Sequence, residues 1–249
     1  MLNMKHLATC EFGTVYLNLP NGLISQALYG NLVDKYSENA YSIRVPYIEK
    51  TGLESIGRAA ITTNYRVLVE NNWLDDLQYL CEPTEYHHKR YTVKFICDRA
   101  IANEIVRHRR FSFLQESTRY CNYSKGKFNG ELTFIQPIWT YHQEDGDYGT
   151  LGNLKRKNVG NKDGVFFDFI KSLQYAEHYY LTLVKQGWKA EQARNVLPLC
   201  LKTELYMCGF TEDWEQFFEL RTASNAHPQA KELAIPLREE FIKRGYINE

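Results

Sequence analysis

The chain has 249 residues, and its 30 lysines and arginines balance 30 aspartates and glutamates, so the formal charge is zero. This balance argues against a protein held to nucleic acid or to an anionic membrane by bulk charge. The 44% hydrophobic and 24% charged fractions are typical of a folded protein and argue against intrinsic disorder. The length fits one large domain or two small ones, either of which can bury a core.

Two strands and two helices are predicted in the first part of the chain, and the second helix has a capping residue. Alternating residues predict a strand over Val15–Leu19. A helix is expected from about Leu53 to Asn71. A second alternating run predicts a strand over Tyr91–Cys97, with every second side chain on one face. Asp98 can then cap a helix that runs to about His108.

Glycine and proline concentrate between residues 121 and 164, the most loop-rich part of the chain. Within this region, Leu132–Gln136 is typical of a short strand, which Pro137 stops. The stretch from Tyr141 to Gly164 is expected to be a surface excursion.

Helices are predicted throughout the C-terminal third. Apolar residues at helical spacing predict the first over Phe166–Val184, with Gly187 at its C-cap. The remaining helices are expected over Ala190–Met207 with a break or kink at Pro198, after a cap at Thr211, and over Pro228–Arg244 with Pro236 inside. Strands followed by helices indicate an α+β fold.

The six cysteines show neither a metal-ligand spacing nor a disulfide framework. They are Cys10, Cys81, Cys97, Cys121, Cys200 and Cys208. We expect reduced thiols in or near the core and no metal site. The N-terminus has no long apolar segment of a secretory signal, and no stretch approaches the ~18 apolar residues of a membrane helix. The expected location is therefore the cytoplasm, with no membrane partner.

The densest chemical information lies between Glu104 and Tyr120. Four arginines and one glutamate between positions 107 and 119 give a local charge of +3. A basic helix end facing water is the simplest interpretation. Against it, the four residues from Arg107 to Arg110 surround almost a whole helical turn, so they cannot all face one side. Aromatic, hydroxyl and amide side chains follow, and arginine forks suit phosphate and carboxylate oxygens.

Arg107-His108-Arg109, followed after seven residues by Ser117, forms an R-H-R-x7-S pattern that continues through Arg119-Tyr120. With it, the chain resembles the flavin-dependent thymidylate synthases. Two later segments, at residues 193–199 and 217–221, look like further nucleotide-binding segments of that family. The resemblance covers roughly Pro83 to Ala234.

The resemblance implies a methyltransferase that converts dUMP to dTMP in nucleotide biosynthesis. It implies FAD as a cofactor reduced by NADPH, 5,10-methylenetetrahydrofolate as carbon donor, and tetrahydrofolate as product. It also implies a single domain over residues 1–249, with an antiparallel sheet packed by helices. Family members are homotetramers with shared active sites, so a homotetramer is expected here, with no nucleic-acid partner.

The resemblance also assigns residues to the two ligands. Those expected to bind dUMP are Glu104, Arg107, Gln115, Ser117, Arg119, Arg194 and Arg221. Those expected to bind FAD are Thr84, Arg107, His108, Arg109, Gln115 and Gln216. Arg221 is the expected catalytic residue, since a cation at the uracil carbonyl stabilises charge that builds on the ring. Ser117 is expected to bind phosphate and not to act as a nucleophile.

The chain departs from the family pattern at several of these positions. Gln115 stands where a glutamate is usual, and Phe210 and Glu212 stand near the positions of an asparagine and an arginine that contact flavin. Gln216 could supply one amide contact. His227 is expected to be a core or capping residue.

Two other functions fit parts of the sequence. A nucleic-acid-binding module would use Arg107–Arg110 on phosphates and Phe111, Phe113 and Tyr120 for stacking. The zero net charge and the confinement of basic residues to one segment argue against it. A non-catalytic assembly protein would use the arginines only to bind nucleotides.

Overall fold

The computed structural model describes residues 7–20, 33–51, 54–139, 148–157 and 164–248. Helices and antiparallel strands are mixed along the chain, as expected for the α+β class. The chain divides into two compact units. The first comprises Met1–Val93, Arg109–Leu114 and Met207–Glu215, and the second comprises Lys94–His108, Gln115–Tyr206 and Gln216–Glu249.

The first unit contains an antiparallel sheet of strands β1 (Thr14–Pro20), β2 (Ile43–Thr51) and β3 (Glu54–Asn64), in the order β1-β3-β2. Every second side chain of β1 is buried, which confirms the strand predicted there. Residues 33–37 are helical. Their Val33 and Tyr36 join a buried cluster with β1, β3 and Leu68, so the core of this unit lies on one face of the sheet.

The helix predicted from Leu53 to Asn71 is wrong over most of its length. Residues Glu54–Asn64 form the central strand β3, and only Tyr65–Glu70 are helical (α1). The run Ile61-Thr62-Thr63 is β-branched and buried, and its first two residues pair with strands on both sides. This setting favours strand over helix. The Asn64 side chain accepts a hydrogen bond from the Val67 amide at 3.1 Å and caps α1.

A second sheet has the order β4-β8-β5, with β4 at Arg90–Asp98, β5 at Ser112–Gln115 and β8 at Lys202–Phe210. Strand β4 confirms the alternation predicted over Tyr91–Cys97. The helix predicted over Ala190–Met207 is wrong beyond its first turns, because residues from Lys202 onward belong to β8. Pro198 prevents the helix from continuing, and β8 gains ladder hydrogen bonds on both of its edges.

Asp98 caps helix α2 (Arg99–Ile105) as predicted, and its Oδ1 accepts a hydrogen bond from the Ile101 amide at 2.7 Å. The helix ends three residues before the predicted His108, with Val106 at its C-cap. Arg107–Arg110 therefore lie in the turns that follow α2 and not on its last helical turn.

The second unit also holds strand β6 (Thr133–Ile135), which confirms the short strand predicted before Pro137. It pairs antiparallel with β7 (Tyr148–Thr150), and helix α3 (Leu151–Lys157) follows directly. Leu151 and Leu154 are buried in the core cluster of the unit. The surface excursion predicted for residues 141–164 is thus wrong for residues 148–154, while residues 140–147 and 158–163 lie outside the described part.

Three long helices of the C-terminal third lie where they were predicted, namely α4 (Gly164–Lys185), α6 (Thr211–Thr222) and α7 (Pro228–Lys243). The helix predicted from Ala190 is reduced to the short α5 (Ala190–Ala193). Thr211, predicted as a cap, is the first residue of α6, and its hydroxyl donates to the Lys89 carbonyl at 3.4 Å. Gly187 follows α4 with a φ of +98°, a left-handed conformation that glycine adopts without strain. Among the described residues, no helix is long and apolar enough to cross a membrane. All six cysteines are free thiols, as predicted.

Candidate functional site

Arg221, near the end of α6, is the centre of a polar cluster in the second unit. Its Nε donates to His108 Nε2 at 3.0 Å, and its Nη1 donates to a Glu104 carboxylate oxygen at 2.8 Å. Its Nη2 donates to the Glu104 carbonyl at 2.9 Å. The structure therefore brings together three residues that the sequence assigned to ligand binding, and we call them the arginine cluster.

The bond from Arg221 sets the state of His108. Because Nε2 accepts a hydrogen bond, the ring is neutral and carries its proton on Nδ1. Burial, and secondarily the charge of the Arg221 guanidinium, lower the pKa of His108 from 6.5 to about 4. A neutral His108 accepts a bond from Arg221 without repelling it at neutral pH.

Local structure explains how the arginine cluster forms. Glu104 lies in the last turn of α2, and His108 follows where the chain leaves that helix. On α6, Phe217 stands four residues before Arg221 and thus on the same face. Its ring packs edge-on against His108, with centroids 5.0 Å apart, and also contacts Phe95. The apolar contacts hold the imidazole in place for Arg221.

Arg221 retains hydrogen-bonding capacity within this cluster. A guanidinium has five N–H groups, and the three bonds to Glu104 and His108 use one on each nitrogen. One N–H remains on each terminal nitrogen. The Arg221 side chain is 19% exposed, so these two donors lie on a partly open side chain that is already oriented.

The second half of the motif forms a separate group of contacts. The Ser117 hydroxyl accepts a hydrogen bond from the Arg119 amide at 3.3 Å. Arg194 donates to the buried Thr118 hydroxyl at 3.4 Å, and Arg119 lies 3.8 Å from the Glu191 carboxylate. The hydroxyl-bearing turn 117–118 and two arginines thus lie close together. Sequence reasoning missed Thr118, although its place beside Ser117 was a usable signal.

The neighbouring Gln115 and Glu116 have different environments. Gln115 donates to the buried Thr203 hydroxyl at 3.4 Å. The Glu116 carboxylate, only 10% exposed, lies 3.2 Å from Lys127 and 3.7 Å from Lys202. Glu116 therefore belongs to an ion-pair network with these two lysines.

Arg107 and Arg109 are exposed. Neither guanidinium makes a hydrogen bond or ion pair with the part of the chain that the structure describes. Guanidinium forks of this kind can pair with phosphate or carboxylate oxygens. Arg110, by contrast, forms a 2.9 Å ion pair with Asp213, which is buried.

Thr84 lies in the first unit, where its hydroxyl and amide both contact Nδ1 of His87 at 2.9 and 3.0 Å. His87 is buried, its Nε2 donates to the Leu17 carbonyl at 3.1 Å, and burial lowers its pKa. His87 thus has a structural role that the sequence did not indicate. His88 contacts the Glu212 carboxylate at 2.5 Å.

Three positions near departures from the family pattern lie in different environments. Phe210 is buried and presents no polar group. Gln216 is exposed on α6, but it lies five residues from Arg221 and so on another face. His227 occupies the N-cap of α7 without a side-chain capping bond, and its ring packs edge-on against Trp139. His227 therefore occupies a capping position, as expected, but its side chain forms no capping hydrogen bond.

Comparison with known proteins identifies the family. A family model described as thymidylate synthase complementing protein matches residues 32–244. A probable flavin-dependent thymidylate synthase of Paramecium bursaria Chlorella virus 1 is 26% identical over 219 residues, which cover 83% of this chain and 94% of that protein. The flavin-dependent thymidylate synthase of Synechocystis is 26% identical over 164 residues, covering 61% and 66%. That of Aquifex aeolicus is 24% identical over 245 residues, covering 94% and 73%.

The family model spans most of the chain and contains the R-H-R-x7-S motif, both later segments and the arginine cluster. The resemblance stated from the motif is thereby confirmed. The chain belongs to the thymidylate synthase complementing protein family.

Proposed function

We propose that the protein is a flavin-dependent thymidylate synthase that methylates dUMP to dTMP. In this reaction 5,10-methylenetetrahydrofolate provides the carbon, NADPH provides the reducing equivalents, and tetrahydrofolate is released. The observation that carries the proposal is the arginine cluster, in which Glu104 and His108 orient Arg221. Family membership supports the same chemistry.

Arg221 is the catalytic residue of the proposal. Its two remaining N–H groups can donate to a uracil carbonyl oxygen. Transfer of the methylene carbon requires C5 of the uracil to become nucleophilic, and negative charge then builds on the ring oxygen. A fixed cation aimed at that oxygen stabilises this charge without reorganising during the reaction. Glu104 and His108 act through Arg221, since both hold its guanidinium in place.

The dUMP phosphate is assigned to the second half of the motif. Ser117 offers a hydroxyl donor, and Arg119 and Arg194 offer forked guanidinium groups. Their present contacts are weak, at 3.8 Å from Arg119 to Glu191 and 3.4 Å from Arg194 to Thr118. A dianionic phosphate can replace such contacts. Gln115 and Arg107 are assigned to the same nucleotide.

FAD, when bound, supplies the hydride. Arg107 and Arg109 would hold its phosphates, because both guanidinium groups are exposed. His108, Gln115, Gln216 and Thr84 are assigned to its other polar groups. Thr84 would have to share its hydroxyl with His87, to which it is bonded at 2.9 Å.

The test combines product analysis with flavin absorbance. Purified protein supplied with dUMP, 5,10-methylenetetrahydrofolate, NADPH and FAD is expected to form dTMP and tetrahydrofolate. Arg221→Ala is expected to lower the rate by about a hundredfold or more, the usual cost of losing one oxyanion donor, while flavin absorbance is kept. Arg221→Lys keeps the charge but not the forked pair of donors, so its rate should lie between those of the wild type and Arg221→Ala.

Glu219→Ala is the matched control, because Glu219 is exposed on the same helix two residues from Arg221. It should have the wild-type rate. Absence of dTMP with every substrate present would refute the proposed function. Loss of flavin absorbance in Arg221→Ala would instead place this residue in the flavin subsite. A wild-type protein that binds DNA or RNA but no flavin would favour the nucleic-acid-binding alternative.

A homotetramer with shared sites and a cytoplasmic location complete the proposal. Exposed aromatic side chains such as Phe167, Tyr175 and Tyr179 on α4 are compatible with burial in an interface between subunits. Size-exclusion chromatography with light scattering measures the subunit number directly.

A further inference from the structure

Glu116 connects strand β5 to the turn that carries Ser117 and Arg119. Its backbone amide donates to the Glu204 carbonyl of β8 at 2.9 Å, which extends the pairing of β5 with β8 by one residue. Its carbonyl accepts a hydrogen bond from Arg99 of α2 at 3.4 Å. Both backbone groups of the residue before Ser117 are therefore bonded to other elements of the second unit.

The Glu116 side chain is held as well. Its carboxylate lies 3.2 Å from the Lys127 ammonium and 3.7 Å from that of Lys202, and we call these three residues the Glu116 triad. The Cys121 thiol is bonded to the same carboxylate, and burial, followed by the charge of Glu116, raises the pKa of this thiol. The side chains of Glu116 and Lys202 are only 10% and 14% exposed, so water screens this pair less than it screens a surface ion pair.

Lys202 is fixed from a second side. It bonds to the Glu204 carboxylate at 2.8 Å, and that carboxylate also pairs with Lys94 of β4 at 2.8 Å. Hydrogen bonds from Lys202 and Lys94 lower the pKa of Glu204 to about 2, so this carboxylate is ionised at neutral pH. The Lys202 ammonium thus lies between two carboxylates, which keeps it next to Glu116.

The turn that follows Glu116 has a fixed shape of its own. The Ser117 carbonyl accepts hydrogen bonds from the Tyr120 and Cys121 amides at 3.1 and 3.0 Å, and the Ser117 hydroxyl accepts one from the Arg119 amide. Bonds within a turn set its shape but not its place in the molecule. Since Glu116 joins the turn to β8 and α2, the position of Ser117 and Arg119 depends on how Glu116 is held.

We propose that Glu116 is a positioning residue for the dUMP phosphate, because the Glu116 triad fixes the turn that presents Ser117 and Arg119. The inference rests on the proposed function, which assigns these two side chains to that phosphate. Donors that are held in place before the ligand arrives lose less conformational entropy on binding. A carboxylate repels phosphate, so Glu116 acts through the turn and not by direct contact.

Titration calorimetry with dUMP and with 2′-deoxyuridine, which lacks the phosphate, tests the inference on purified protein with FAD added. Glu116→Gln keeps the shape of the side chain but removes its charge. It should weaken dUMP binding by about tenfold, the equivalent of one charged hydrogen bond, and leave the affinity for deoxyuridine unchanged. In steady-state assays, KM for dUMP should rise by the same factor with little change in kcat.

Lys202→Met removes the partner of Glu116 and should weaken dUMP binding in the same way, so it decides the question if Glu116→Gln does not fold. Lys202→Arg keeps the cation and should retain the affinity. Lys94→Ala removes an ion pair from the far end of the same network and is the matched control, whose dUMP affinity should equal that of the wild type. Flavin absorbance and urea unfolding report whether each variant is folded.

Unchanged dUMP affinity in folded Glu116→Gln, or an equal loss of affinity for dUMP and deoxyuridine, would overturn the inference. An equal loss in Lys94→Ala would also overturn it, since the effect would then belong to the sheet and not to the Glu116 triad. A selective loss of dUMP binding in a protein that forms no dTMP would keep the role of Glu116 and refute the proposed function. A wild-type protein that does not bind dUMP would refute both.

Discussion

His108 provides the most direct test of the site geometry. The wild-type ring must stay neutral to accept the 3.0 Å bond from Arg221. Protonation would break that bond and place two cations side by side. Burial and the nearby guanidinium lower the pKa of His108 from 6.5 to about 4. The variant His108→Gln keeps an acceptor for Arg221 but does not titrate, so it isolates the contribution of this one proton.

The sign of the effect follows from linkage. Since the folded-state pKa lies below the unfolded one, the unfolded chain binds the proton first as the pH falls. The stabilisation is fully present above the unfolded value of 6.5 and is lost as the pH falls toward about 4. A pKa difference of one between the folded and unfolded states corresponds to about 1.36 kcal/mol of stability, so the full difference corresponds to about 3 kcal/mol. Partial solvent access reduces this to about 1–2 kcal/mol.

Urea unfolding of the two proteins from about pH 7.5 down to about pH 5 measures this contribution. Over that interval, the free energy of unfolding of the wild type should fall by about 1–2 kcal/mol more than that of His108→Gln. The lowered pKa of His87 acts in the same direction, but it is present in both proteins and cancels. Parallel pH curves, or an imidazole NMR titration of His108 with a pKa at its ordinary value, would refute the assignment of a neutral His108.

Two further substitutions test the packing. Gly209→Ala would place a methyl group 2.6 Å from Cε1 of the Phe111 ring; it should destabilise the protein by about 1–3 kcal/mol, and adding Phe111→Leu should recover part of the loss, whereas full stability in Gly209→Ala would contradict the contact. Leu154→Ala should lower the free energy of unfolding by about 2–5 kcal/mol, measured by thermal or urea unfolding, because Leu154 is buried in the core cluster of the second unit. Lys185→Ala, at an exposed position at the end of α4, is the control, and its stability should differ little from that of the wild type. Equal stability of the two variants would contradict the burial of Leu154.

Features with a local cause could be predicted from the sequence. The alternation in β1, the capping carboxylate of Asp98, the apolar spacing of α4 and the left-handed Gly187 each depend on residues that are neighbours along the chain. A cap or a turn forms from interactions within a few residues, so the sequence contains the information needed.

The two central strands could not be predicted in this way. Both β3 and β8 lie in segments that were expected to be helical, and both are paired on two sides. Their strand conformation depends on hydrogen bonds to segments far away in sequence. Helix α3 could not be predicted either, because its burial depends on packing with β6, α4 and α5 in one core.

The family and its candidate ligand-binding residues could be predicted from the sequence alone, because the R-H-R-x7-S motif and the two later segments are long enough to be specific. Which of those residues contact one another depends on the tertiary structure. Arg221 is more than a hundred residues from Glu104 and His108, yet it bonds to both. The rings of Tyr47 and Tyr86 likewise stack on each other, although no motif connects the two residues. Long-range contacts form only when the chain buries its apolar surface, so no local pattern records them.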